Sequence, residues 1–198
     1  MPDDSLSLNR AAIYRFLTFL YHDEIPESFF DKMSAGSFQD ALEAFLNTCP
    51  LNDLKSGLRN MNKEIRSKTS QEAYKALSWE YADIFLNAGS NPVFPYESVY
   101  VSRDPVVMGE PVFSVRQAYR KGGVHKSPAY RDLDDHIAVE LEFLAHLITE
   151  GQKDLERNAE FQKQQVAFLR DHLMGWVIEF CAVLSNSAVS DFYQGLAE

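Results

Sequence analysis

Two pairs of ionisable residues stand out in the sequence. His136 and Glu140 are four apart, and so are Glu142 and His146. On a helix each pair shares one face. Imidazole and carboxylate at that spacing can hold a metal or exchange a proton. A polar contact or a helix cap uses the same spacing, and one helix supplies too few ligands, since a catalytic zinc site takes about three protein ligands. His22, His125 and His172 stand in no recognisable motif. No catalytic residue and no metal site is therefore expected.

The run Gly122-Gly123-Val124-His125-Lys126-Ser127 ends like a phosphate loop. The GxxxxGK[ST] pattern would need glycine at 120 and 125, where Arg120 and His125 stand, so its backbone cannot cradle phosphates in that way. These glycines are expected to serve turns. No GxSxG elbow and no dinucleotide fingerprint occurs.

A third constellation is aromatic. Tyr81, Phe85, Phe94, Tyr96 and Tyr100 flank a proline-rich stretch, and Asp132, Asp134, Asp135, Glu140 and Glu142 crowd another. Together they would make an apolar groove with an acidic rim. Such a groove suits a segment carrying arginines and an apolar run. Core rings and solvated acids would account for the same residues.

The elements that must position these groups are helical. The chain has 198 residues, 45% hydrophobic and 24% charged, enough for one globular domain or two small ones. Ile13, Phe16, Leu17 and Leu20 recur at helical spacing, with Ser5 or Ser7 as cap. Pro26 opens a second helix, and Phe38, Leu42, Phe45 and Leu46 mark a third that stops at Pro50. Leu51, Leu54, Leu58, Met61 and Ile65 continue the pattern, and Ser70 opens a long helix through Tyr74, Leu77, Tyr81, Ile84 and Phe85. Residues 88–111, with Gly89, Pro92, Pro95, Pro105, Gly109 and Pro111, predict extended or turn backbone. A short helix is expected over 112–120. Residues 137–148 are apolar nearly all round and predict a central buried helix capped by an aspartate just ahead of it. Two or three helices close the chain. The expected fold is all-α, a compact bundle of about ten helices in two parts: 1–121, including the loop 88–111, and 135–198. A Gly/Pro-containing hinge, 122–134, joins them through Gly122, Gly123, Asp132, Leu133 and Asp134.

The formal net charge of −10 argues against nucleic acid and anionic membranes and favours a basic partner. Cys49 and Cys181 form no CxxC pair, the N-terminus is acidic, and no run of about 18 apolar residues occurs, so a cytoplasmic protein is expected.

Three ordered blocks resemble the TorD/DmsD/NarJ family of redox-enzyme maturation chaperones, nearest its TorD branch. They are Trp79-Glu80-Tyr81-Ala82-Asp83-Ile84-Phe85-Leu86; Pro95-Tyr96-Glu97-Ser98-Val99-Tyr100 with Met108-Gly109; and Asp135-His136-Ile137-Ala138-Val139-Glu140-Leu141-Glu142-Phe143. Tyr119…Gly122 and Phe168…His172-Leu173…Trp176…Phe180…Phe192-Tyr193 agree with the same pattern. The family hinge reads Glu-Pro-x-Asp-His. Here Leu133 replaces its proline, leaving φ less constrained, while Asp135-His136 is intact.

The resemblance implies a non-enzymatic, cytoplasmic chaperone that needs no cofactor of its own. It would bind the twin-arginine signal peptide, or the body, of an apo molybdoenzyme of the dimethyl-sulfoxide-reductase type, and delay export until the molybdopterin cofactor is inserted. Tyr81, Ile84, Phe85, Tyr96, Ser98, Tyr100, Gly109, Asp135, His136 and Glu140 would form the signal-peptide or client site and its hinge. Weak guanine-nucleotide binding is implied for some members, and residues 122–127 give it no support. A monomer or a homodimer fits. A small metal-dependent hydrolase using His136, Glu140 and His146, or a helical adaptor for a folded partner, are the alternatives.

Overall fold

The computed structural model describes residues 4–101, 108–128 and 130–198, with the side chains of 4–8 and 48 left aside. Among the described residues are eleven α-helices and no strand. They are α1 (Asp4–His22), α2 (Glu27–Ser34), α3 (Gly36–Thr48), α4 (Asn52–Arg66), α5 (Ser70–Phe85), α6 (Glu97–Val101), α7 (Glu110–Lys121), α8 (Ile137–Lys153), α9 (Asn158–Asp171), α10 (Val177–Ser187) and α11 (Asp191–Ala197). A 3₁₀ turn, Leu173–Gly175, joins α9 to α10. The all-α expectation holds.

Several local expectations change. α1 runs from Asp4, so Ser5 and Ser7 lie inside the helix rather than capping it. The cap of α5 is Thr69: its hydroxyl accepts from the Glu72 amide while the Glu72 carboxylate accepts from the Thr69 amide. That reciprocal pair satisfies two amides the helix cannot. The stretch 88–111 is not all extended, because α6 forms directly after Pro95-Tyr96. Pro105 lies outside the described residues. α7 starts at Glu110 with Pro111 in its first turn, where a missing N–H costs nothing. The left-handed residue ahead of it is Met108, at φ 82°, whereas Gly109 is extended.

The chain divides into two units. The first comprises the described residues of Met1–Asp23 and Phe94–Glu179, the second Glu24–Val93 and Phe180–Glu198. Residues 122–134, read from the sequence as a hinge between two helical parts, lie within the first unit, as do the residues on either side of them.

In the first unit α8 is the centre. It is buried on every face but one, a narrow polar stripe of Glu142, His146, Thr149 and Lys153, because its other positions are almost all apolar. α1 packs along it, with Ala11 meeting Ala145 and Ile148, and the Thr18 hydroxyl donates to the Ala138 carbonyl at 3.3 Å. α7, α8 and α9 meet through Tyr119, Phe143 and Phe168, whose ring centroids lie 4.8, 6.0 and 4.9 Å apart. Each buried ring contributes roughly 1.5–3 kcal/mol.

In the second unit α4 and α11 cross at Gly57 and Gly195. A Cβ on Gly57 would stand 2.3 Å from the Gly195 carbonyl, so the backbones approach only because both lack side chains. The Tyr193 hydroxyl donates to the Leu77 carbonyl at 3.2 Å. The Glu80 carboxylate accepts from the Val189 and Ser190 amides, at 2.7 and 2.9 Å, just ahead of α11.

Candidate functional site

The second and third sequence blocks meet in the first unit. Tyr96 and His136 form an isolated antiparallel bridge. Glu97 N donates to the Asp135 carbonyl at 3.0 Å, and Ile137 N donates to the Pro95 carbonyl at 2.9 Å. Pro95 cannot donate, so it presents only its carbonyl to this pairing. The rings of Tyr96 and His136 stand edge to face, centroids 5.0 Å apart.

His136 is the N-cap of α8. Its Nδ1 accepts from the Ala138 amide at 3.1 Å. An aspartate was the expected cap, but Asp135 serves the other side of the bridge: its Oδ2 accepts from the Ser98 amide at 3.0 Å, holding the start of α6. The cap requires a bare Nδ1, so the ring proton sits on Nε2. Burial, with His22 and Lys126 adding to it against Asp132, lowers the His136 pKa to about 4. The ring is therefore neutral near pH 7. Ser98 Oγ and Asp135 Oδ1 are buried without a hydrogen-bond partner among the described residues.

A second buried set lies beneath α6. His172 Nδ1 is 3.0 and 3.3 Å from the two carboxylate oxygens of Glu97, and both side chains are buried. Glu140, wholly buried one turn into α8, has its pKa raised well above the usual carboxylate value. Burial is the main cause, followed by the neighbouring Glu97 and Asp135 charges. Burial therefore favours its neutral form. Tyr100 of α6 stacks on Trp176 at 5.6 Å.

Residues 122–134 are tied down at many points. Gly122 lies against the Phe143 ring, where a Cβ would come within 2.6 Å, and Gly123 turns the chain at φ 81°. Both glycines serve the turn expected of them, and Gly123 alone takes the left-handed conformation. The Lys126 ammonium donates to the Tyr130 and Asp132 carbonyls. The Tyr96 hydroxyl donates to Asp132 Oδ1 at 3.1 Å, and the Tyr119 hydroxyl to the Asp134 carbonyl at 2.7 Å. Arg116 pairs with Asp134 at 2.6 Å. The Leu133 carbonyl accepts the His136 amide at 3.3 Å, so this turn closes with a leucine at 133.

The expected acidic rim is different in kind. Asp134, Asp135 and Glu140 are interior, held by Arg116, by the Ser98 amide and by burial, while Glu142 is half-exposed. Tyr81, Ile84 and Phe85 lie in the second unit, where Tyr81 and Ile84 are buried and Phe85 packs against Tyr81 and Tyr193. Tyr96, Ser98, Tyr100, Gly109, Asp135, His136 and Glu140 lie in the first. Sequence reasoning missed Glu97, Arg116, Lys126, His172 and Trp176. Glu97, His172 and Trp176 stand within motifs already quoted, but nothing in their spacing pairs residues 75 positions apart. Trp79, at the head of the first block, is 78% exposed.

Among the described residues no group of three or more His, Cys, Asp or Glu could hold a metal ion, and no helix is long and apolar enough to cross a membrane.

The sequence model of the nitrate reductase delta subunit family matches residues 51–182, about two thirds of the chain. The chain is also similar to curated proteins named Chaperone protein TorD. That of Aliivibrio salmonicida (strain LFI1238) is 26% identical over 186 residues, covering 93% of this chain and 86% of the relative. That of Vibrio vulnificus (strain CMCP6) is 28% identical over 176 residues, covering 86% and 80%. That of Vibrio cholerae serotype O1 is 27% identical over 179 residues, covering 88% and 79%.

Proposed function

The chain belongs to the nitrate reductase delta subunit family, and from that premise we propose that it is a chaperone, not an enzyme, acting in the maturation of a molybdoenzyme. Its client would be an apo enzyme of the dimethyl-sulfoxide-reductase type. The segment it captures would be the twin-arginine signal peptide, held in the cytoplasm until the molybdopterin cofactor is in place. The relatives carry chaperone names, which favours this reading over a hydrolase or a general adaptor.

One observation carries the site: the Pro95–Ser98 strand of backbone is bridged to Asp135–Ile137, so two of the blocks behind the resemblance form one structure. Asp135 and His136 are buried and spend their hydrogen bonds on α6 and α8. Their part in the reading is to hold Tyr96 and Tyr100, both half-exposed, where a peptide can reach them. An apolar ring with a polar tip suits such recognition. The net charge of −10 draws a basic segment by long-range attraction.

Calorimetric titration of the full chain with a panel of twin-arginine signal peptides tests this. Binding of at least one peptide, weakened in Tyr96→Ala and Asp135→Ala variants that keep wild-type helicity, is expected. Absence of binding across the panel overturns the signal-peptide reading. Co-purification of the chain with a client lacking its leader would move the contact to the enzyme body.

A further inference from the structure

A cleft of about 300 Å³ opens between Val124–Ser127, Tyr130 and α8 in the first unit. Neither the bridge at Tyr96–His136 nor the buried set beneath α6 uses it. Its size is at the small end of the roughly 300–1,000 Å³ range of ligand sites. It gathers two features singled out from the sequence and left without a role: the loop ending in Lys126-Ser127 and the Glu142–His146 pair.

The walls are mostly apolar and aromatic, from Tyr119, Tyr130, Val139 and Phe143. Glu142 supplies the carboxylate, 42% exposed and so open to a ligand. Lys126, His125 and His146 are the basic lining residues, and the Lys126 ammonium is committed to the Tyr130 and Asp132 carbonyls. Burial, and then the charges of Glu142 and Asp23, raise the Tyr130 hydroxyl pKa. Arg15 reaches Glu142 only at 3.8 Å and spends one Nη on the Thr149 hydroxyl at 3.0 Å, leaving the carboxylate without a close ion pair to it.

Aromatic faces beside one exposed carboxylate suit a planar organic cation. A guanidinium stacks on rings and pairs bidentately with a carboxylate, which an ammonium cannot do. We propose that this cleft is a guanidinium subsite that takes an arginine side chain of the bound client segment, with Glu142 as its counter-ion. The source of the arginine rests on the client reading above; the cation chemistry of the cleft does not.

The test uses the full chain with N-acetyl-arginine amide as probe and N-acetyl-citrulline amide, its uncharged counterpart, as control. NMR of the Val124 and Val139 methyl groups reads occupancy. Saturable shifts with the arginine probe alone are expected. Glu142→Gln, at a half-exposed position, should weaken the probe about tenfold or more. Arg15→Gln should tighten it several-fold by removing the competing guanidinium, a gain that a merely structural Glu142 would not produce. Equal response to citrulline, or unchanged binding in Glu142→Gln, overturns the subsite.

A twin-arginine peptide is then titrated into wild type and Glu142→Gln. Loss in the variant supports the full proposal. Equal affinity for both overturns it and leaves the client reading standing. If the probe fills the cleft while no peptide binds the wild type, the client reading fails and the cation site stands.

Discussion

Tyr96 and His136 face each other across an isolated antiparallel bridge, ring against ring at 5.0 Å, although 40 residues of sequence separate them. The bridge lets one histidine do two things. Its backbone belongs to the pairing ahead of α6, and its ring both caps α8 through Nδ1 and packs on Tyr96, so loss of the ring removes the cap and the Tyr96 contact together.

His136 predicts an acid limb in stability. Its folded pKa of about 4 lies below the ordinary histidine value because the ring is buried. The folded state therefore binds fewer protons than the unfolded state between those values. The stabilisation is fully present above about pH 6.5 and is lost as pH falls toward 4, by about 3 kcal/mol. Urea midpoints measured across that range should fall in the wild type and flatten in His136→Asn, which keeps a capping oxygen without a titrating ring.

Glu140 predicts the opposite limb. Its folded pKa is raised, so its contribution is present below the ordinary carboxylate pKa and is lost as pH rises through the folded value. Glu140→Gln removes the ionisation. Its denaturation midpoint at pH 8 should exceed that of the wild type, with the difference shrinking toward pH 4.

Glu97 and His172 predict a non-additive cycle. His172→Ala leaves a buried carboxylate without its imidazole and should destabilise by about 3 kcal/mol. Adding Glu97→Gln removes the stranded charge and should recover part of that loss. Urea unfolding of both single variants and the double variant gives the coupling; strict additivity would show that the pair does not act as one unit.

Gly57 and Gly36 predict contrasting outcomes for the same change. Gly57→Ala gains up to about 1 kcal/mol of helix propensity, but its Cβ meets a backbone carbonyl at 2.3 Å, which cannot swing away. A net loss of about 1–3 kcal/mol is expected. At Gly36 nothing lies within 4 Å, so alanine there should leave the thermal midpoint unchanged or slightly raised.

Helix content, the stretches that form the helices, and the buried character of α8 were legible in the sequence. They follow from apolar spacing along the chain, which depends only on neighbours three and four residues away. The family resemblance was legible for a similar reason, because its blocks are contiguous. Caps were read less well. α5 opens at Ser70 as expected, but His136 outcompeted Asp135 for α8, since a cap is chosen by which side chain the incoming backbone aims at the free amides.

What only the tertiary structure decided is which charged groups meet. Composition marked Asp132, Asp134, Asp135, Glu140 and Glu142 as one acidic cluster. Folding sent Asp135 to the α6 amide, Asp134 to Arg116, Asp132 to the Tyr96 hydroxyl, Glu140 into the interior, where burial favours its neutral form, and Glu142 into an aromatic cleft. Helical periodicity fixes a face but not its partner. Burial and pairing arise from residues far apart in the chain, 75 positions for Glu97 and His172.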